Sequence, residues 1–203
     1  MTSPPNQPKS RAWTNHVSTL VSHSLQVDLS SKERLITPVF FAAIVLLLFS
    51  FAIPEQDPTM RSRMIVAQSL LAVFFALQIA FSRAFESERV DRVFDHIRLS
   101  PIASSAFIVA KLIHVLLIGA GTMFCAGVLA IILQGQDPSL LMDPVVIGAS
   151  ILTLLGLSGL GVLLAAVTLR AEGHQIIFPL LYFPLSVPVL LCASESLVQR
   201  LET

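Results

Sequence analysis

Charge is scarce in this 203-residue sequence: 13 Lys and Arg balance 13 Asp and Glu, and together they make up 13% of the residues. A soluble domain carries about 25% charged residues, so lipid rather than water is the expected solvent for most of the chain. The exact cancellation of charge excludes the basic field that nucleic-acid binding requires. Cysteine is nearly absent, and Cys125 and Cys192 both lie in apolar runs, which excludes a disulfide framework and a CxxC motif. The sequence also lacks HExxH, GxSxG, a phosphate-cradling GxxxxGK and any pair of carboxylates inside an apolar run. No catalytic residue and no metal site is therefore expected, and any ATP hydrolysis that serves the chain has to come from another subunit.

Hydrophobic residues, in contrast, reach 54% of the chain. They gather in five runs near Ile36–Ile53, Met64–Ser82, Ser105–Leu133, Pro144–Leu169 and Ile176–Ser194. About 20 apolar residues cross the hydrocarbon core of a bilayer as a helix, and only helices or closed barrels satisfy the backbone there. The expected fold is an all-α membrane protein, a polytopic bundle of about five helices. The permease-like domain covers residues 36–194, between a polar N-terminal segment (1–35) and a short tail (195–203). Residues 1–31 lack the short apolar core and small-residue cleavage site of a signal peptide, so the spans are expected to be retained. Basic residues set the orientation. Lys9, Arg11, Lys32, Arg34, Arg83, Arg89, Arg92, Arg98, Lys111 and Arg170 fall on one side, and Arg61, Arg63 and Arg200 on the other. This predicts a multi-pass protein with its N-terminus in the cytoplasm.

The stretch "RAFESERVDRVFDHIRLSPI", Arg83 to Ile102, holds eight of the 26 charged residues. Val90, Val93, Phe94 and Ile97 recur at i, i+3, i+4 and i+7, one apolar stripe on a helix. Charges of both signs occupy the other faces, and Pro101 ends the helix and turns the chain toward the third run. Such a helix either lies on the membrane surface or docks in a partner's groove. Its mixed charge favours the groove, because surface-bound helices carry mainly Lys and Arg.

Three further features stand out within the apolar runs. Lys111 and His114 are ionisable residues one turn apart, which fits either an intramembrane functional site or a helix interface near the headgroups. "FPLLYFPLSVP" places Pro179, Pro184 and Pro188 in one run, as in a distorted, broken or re-entrant helix. The fourth run carries Gly148, Gly156, Gly159 and Gly161, which with Ala165 form a small-residue packing surface.

These stretches resemble the haem exporter protein B family, the permease subunit of the ABC-type complex of cytochrome c maturation. In its charged loop, Asp91, Phe94, Asp95, Ile97, Leu99 and Pro101 take the places of the family's acidic, apolar and proline positions. Ala110, Lys111 and His114 follow in order, and Thr168, Pro184 and Pro188 match in the last two runs. The resemblance implies six spans, of which five are found here. It implies a coupling helix (Val90, Val93, Phe94, Asp95, Ile97, Leu99, Pro101) that receives a cytoplasmic ABC ATPase, and other haem-handling membrane proteins as partners. It also implies haem as a handled substrate rather than a resident cofactor, and the bacterial inner membrane as location. The residues alone leave open an ABC-2 type export permease for another substrate and a non-transporting membrane scaffold.

Overall fold

The computed structural model describes residues 9–30, 32–52, 58–90, 104–135, 137–168 and 174–201. Among these residues every long element is an α-helix and no strand occurs, as an all-helical membrane protein requires. In chain order they are α1 (Lys9–Ser30), α2 (Lys32–Ala52), α3 (Pro58–Val90), α4 (Ser104–Gln134), a 3-10 turn (Pro138–Met142), α5 (Pro144–Thr168) and α6 (His174–Leu201).

Among the described residues four helices are long and apolar enough to cross a bilayer, with apolar segments Arg63–Phe81, Ser105–Leu133, Pro144–Thr168 and Ile176–Leu201. The first run is shorter: its apolar helix covers Ile36–Ala52, 17 residues, at the lower limit for a span. Charge at Lys32, Glu33 and Arg34 shortens its apolar length from the N-terminal side. The last helix runs on through Ser194 to Leu201, so the polar residues after the fifth run continue it.

The polar N-terminal segment forms a helix of its own. Trp13, Val17, Leu20 and Val21 fall at i, i+4, i+7 and i+8, and this stripe packs on Ala106 and Ala110 of α4. His16, Ser18, Thr19, Ser22 and His23 remain exposed on the other side.

Helix α3 touches α2, α4, α5 and α6. Toward α2 it presents alanines: Ala72 and Ala76 are fully buried, in one cluster with the equally buried Ala42 and Leu46 of α2, and Phe41 and Phe75 meet edge to face at 6.1 Å. Toward α6 it presents rings. Tyr182 stacks on Phe74 at 5.4 Å and on Phe178 at 5.4 Å, and meets Phe81 edge to face at 5.5 Å. Each such pair adds about 0.5–1.5 kcal/mol to the burial of its rings. The Tyr182 hydroxyl is buried and donates to the Leu157 carbonyl of α5 at 3.3 Å, so one side chain ties α6 to both neighbours.

Glycines make the closest approaches. A Cβ on Gly161 of α5 would lie 2.7 Å from two ring carbons of Phe81, and one on Gly119 of α4 would lie 2.6 Å from Leu154 and 2.8 Å from Leu77. Of the four glycines of the fourth run, only Gly156 and Gly161 serve packing. A Cβ at Gly148 or Gly159 meets nothing within 4 Å, so the small-residue surface narrows to Gly156, Gly161 and the buried Ala165.

This contrast gives a test. Gly161→Val forces Phe81 off its rotamer and is expected to cost about 1–3 kcal/mol. Gly159→Val is expected to leave stability nearly unchanged. Unfolding midpoints in mild detergent compare the two, and equal losses would refute the notch role of Gly161.

Candidate functional site

The charged stretch begins as an extension of α3. The apolar segment of α3 ends at Phe81, yet the helix continues to Val90. Nine further residues carry the helix axis about 14 Å past the apolar segment at 1.5 Å per residue. Val90, the first residue of the predicted apolar stripe, is thus the last residue of α3. Val93, Phe94, Asp95, Ile97, Leu99 and Pro101 lie outside the described residues. The same loop leads into α4 at Ser104, so its two ends are the ends of α3 and α4.

Lys111 and His114 stand on α4 beyond that loop. Both are buried, at 5% and 2% exposure, and they lie one turn apart. The neighbouring Ala106 and Ala110 sit under α1, so the polar pair is placed where α4 is covered rather than where it meets lipid. Among the described residues no three His, Cys, Asp or Glu side chains gather as a metal site.

The proline-rich run is a single unbroken helix from His174 to Leu201, with Pro179, Pro184 and Pro188 inside it. A break or re-entrant turn is therefore not what these residues form. Phe178, Tyr182 and Ser186 are buried at i, i+4 and i+8, while Pro184 and Pro188 are exposed. The carbonyls freed by the two exposed prolines, Leu180 and Pro184, belong to residues on that outer face too. The prolines leave the ring cluster undisturbed for this reason.

At the opposite end of the bundle the structure shows a residue that the sequence reading missed. Asp143 precedes Pro144, the first residue of α5. Its Oδ1 accepts from the Val145 N–H at 2.9 Å and the Val146 N–H at 3.3 Å, an N-cap with proline at the first helical position. Its Oδ2 accepts from Arg200 Nε at 2.7 Å, and Arg200 Nη2 lies 2.7 Å from the same oxygen. One carboxylate therefore starts α5 and clamps it to the end of α6. Asp137 repeats the capping half of the device, accepting from the Ser139 N–H at 2.9 Å ahead of the 3-10 turn. The Asp-Pro pairs at 137–138 and 143–144 are the sequence signal for both.

Fold and site together define an all-helical, multi-pass membrane protein whose central helix projects beyond its apolar segment into a charged loop. The family model described as CcmB protein matches residues 15–202, and the chain belongs to that family. Two curated relatives are both called Heme exporter protein B. The protein of Haemophilus influenzae is 26% identical over 186 residues, covering 88% of this chain and 79% of its own. That of Pseudomonas aeruginosa is 28% identical over 195 residues, covering 93% and 83%. No solved structure matches the chain.

The hydrogen bond from Arg200, followed by those from the α5 backbone, holds the Asp143 carboxyl below its ordinary pKa of 3.8. A carboxylate with a lowered folded-state pKa stabilises above its unfolded pKa, and the contribution fades as pH falls through the folded value. The clamp is thus expected to be intact and pH-independent from about pH 5 upward and to weaken only in more acidic solution. Thermal midpoints of the unaltered chain and Asp143→Asn, taken from pH 7 to 3, check this. Their difference is expected to be constant near neutrality and to shrink at the acid end. A difference that grows toward low pH would exclude the clamp.

Proposed function

We propose that this chain is the non-catalytic permease subunit of an ABC complex in a bacterial inner membrane, acting in haem release for c-type cytochrome maturation. The observation that carries this reading is the family match over residues 15–202, supported by two relatives named for haem export. Haem is the handled substrate, and other haem-handling membrane proteins are its neighbours. Hydrolysis belongs to a cytoplasmic ATPase partner, since the sequence offers no phosphate-binding loop.

The bias of basic residues puts the N-terminus and the loop after α3 in the cytoplasm. There the stripe of Val90, Val93, Phe94 and Ile97 docks in a groove of the ATPase, while Asp95 and the surrounding charges fix register. Leu99 and Pro101 pass the chain on to α4. A push on this segment enters the bundle along α3, whose contacts with α2, α4, α5 and α6 distribute it. Lys111 and His114 lie two to three turns into α4, close enough to the loop to respond to its position.

Co-purification with the ATPase encoded beside this chain tests the reading. The unaltered chain is expected to retain the ATPase in mild detergent. Ile97→Asp and Phe94→Asp, each placing a charge on the docking stripe, are expected to lose it while still inserting in the membrane. Retention by both variants would remove the coupling role. Failure of the unaltered, inserted chain to bind any ATPase would point to a scaffold instead.

A further inference from the structure

Toward the Asp143 end, α3, α4, α5 and α6 part around a cavity of about 320 Å³. Val73, Ala126 and Leu154, one from each of three helices, are buried in its wall, and Leu141 of the 3-10 turn lines it as well. Ser69 and Ser150 bring the only hydroxyls to the lining. Phe124, Ile147 and Ile151 also line it and are 65%, 43% and 54% exposed, so the cavity opens sideways between α4 and α5. That mouth lies within the apolar segments Ser105–Leu133 and Pro144–Thr168. It faces hydrocarbon.

Water is a poor occupant of such a space. A bound water needs about 2–4 polar partners, and an apolar cavity of about 150 Å³ stays dry yet takes up benzene. The present cavity is roughly twice that size, and its open side meets acyl chains rather than bulk water. Basic side chains stand at the ends of the apolar segments of α3 and α6. Arg61 precedes the lining residue Ile65 by one helical turn, and Arg200, paired with Asp143, adjoins the lining residue Leu201. Both are exposed.

We propose that this cavity is a binding site for one acyl chain of an anionic membrane phospholipid, entered laterally between α4 and α5, with its phosphate held at the arginine-bearing rim. The site requires the chain to lie in a bilayer and does not depend on the transport reading. Its occupant fills a space that would otherwise leave the lining without contact atoms on one side.

Native mass spectrometry of the full chain in mild detergent, titrated with palmitoyl-oleoyl phosphatidylglycerol, tests the site. The unaltered chain is expected to show a first lipid adduct that saturates at one per chain before further adducts accumulate. Ser150→Phe places a ring in the cavity from α5, and Ala120→Phe does so from the exposed wall of α4, so that at least one variant folds. Each is expected to lower the occupancy of the first adduct by about tenfold at sub-saturating lipid, the effect of losing about 1.4 kcal/mol. Leu152→Phe, on the 72% exposed lipid face of α5, is expected to leave it unchanged. A graded series with no saturating first adduct would overturn the proposal, as would unchanged occupancy in the folded cavity-filling variants.

Discussion

Contact distance around α3 is the constraint on which the rest of this structure depends. In a bilayer an apolar side chain gains little by leaving lipid for protein, so helices associate by close packing and by the few polar bonds they share. The chain meets this requirement with small residues placed against large ones. Gly161 receives the ring of Phe81, and Gly119 receives Leu77 together with Leu154. Phe74, Leu77 and Phe81 lie within about two turns of α3, so the approaches of α4, α5 and α6 are all set by the same short segment. Enlarging either glycine would separate several helices at once.

The two sides of α3 differ in kind. Toward α6 the rings interlock, with Tyr182 held between Phe74, Phe81 and Phe178. Toward α2 a single ring pair, Phe41 and Phe75, meets edge to face, and Ala72, Ala76 and Ala42 share the buried cluster. Interlocked rings resist sliding and shift only between discrete arrangements, whereas methyl groups present low ridges. An axial displacement of α3 would therefore carry α6 with it. This division suits a helix that projects beyond its apolar segment to Val90 and, in the proposed function, takes its load from outside the membrane.

The helical, membrane-spanning class was legible because length and composition decide it: the runs near Ser105–Leu133 and Pro144–Leu169 return as helices within a residue or so of those limits. Periodicity also contained the stripe of α1, but a polar segment gives no reason to expect a docking face until Ala106 and Ala110 are known to lie opposite. Which glycines pack could not be read from their number, because that depends on the partner: Phe81 lies 80 residues from Gly161 in sequence. The prolines of α6 left a broken or re-entrant segment open beside a distorted helix for a related reason, and the helix is continuous. Pro184 and Pro188 face outward, where their lost hydrogen bonds disturb no packed neighbour. Asp143 was missed although its Asp-Pro cap is local, since the arginine that gives the cap its second role is 57 residues away.

The far end of the bundle and the charged loop are linked by the way the helices pair. The loop after Val90 joins α3 to α4, while the Asp143 carboxylate joins α5 to α6. The apolar cavity lies between these two pairs, with Val73 and Ala126 on one side and Leu154 and Leu197 on the other. Since α5 and α6 are fixed to each other at this end and the rings around Tyr182 lock α6 to α3, a displacement entering through the loop would move α3, α5 and α6 together relative to α4. The volume and mouth of the cavity would then follow the position of the loop, about 38 Å away along α3 from Ile65 to Val90 at 1.5 Å per residue. A lipid chain lodged there would oppose closure of the cavity, and a loop held in place by a partner would set how readily the chain enters. Were the loop to dock a partner as proposed and the cavity to hold a lipid chain, linkage would require each to change the other's affinity by the same factor.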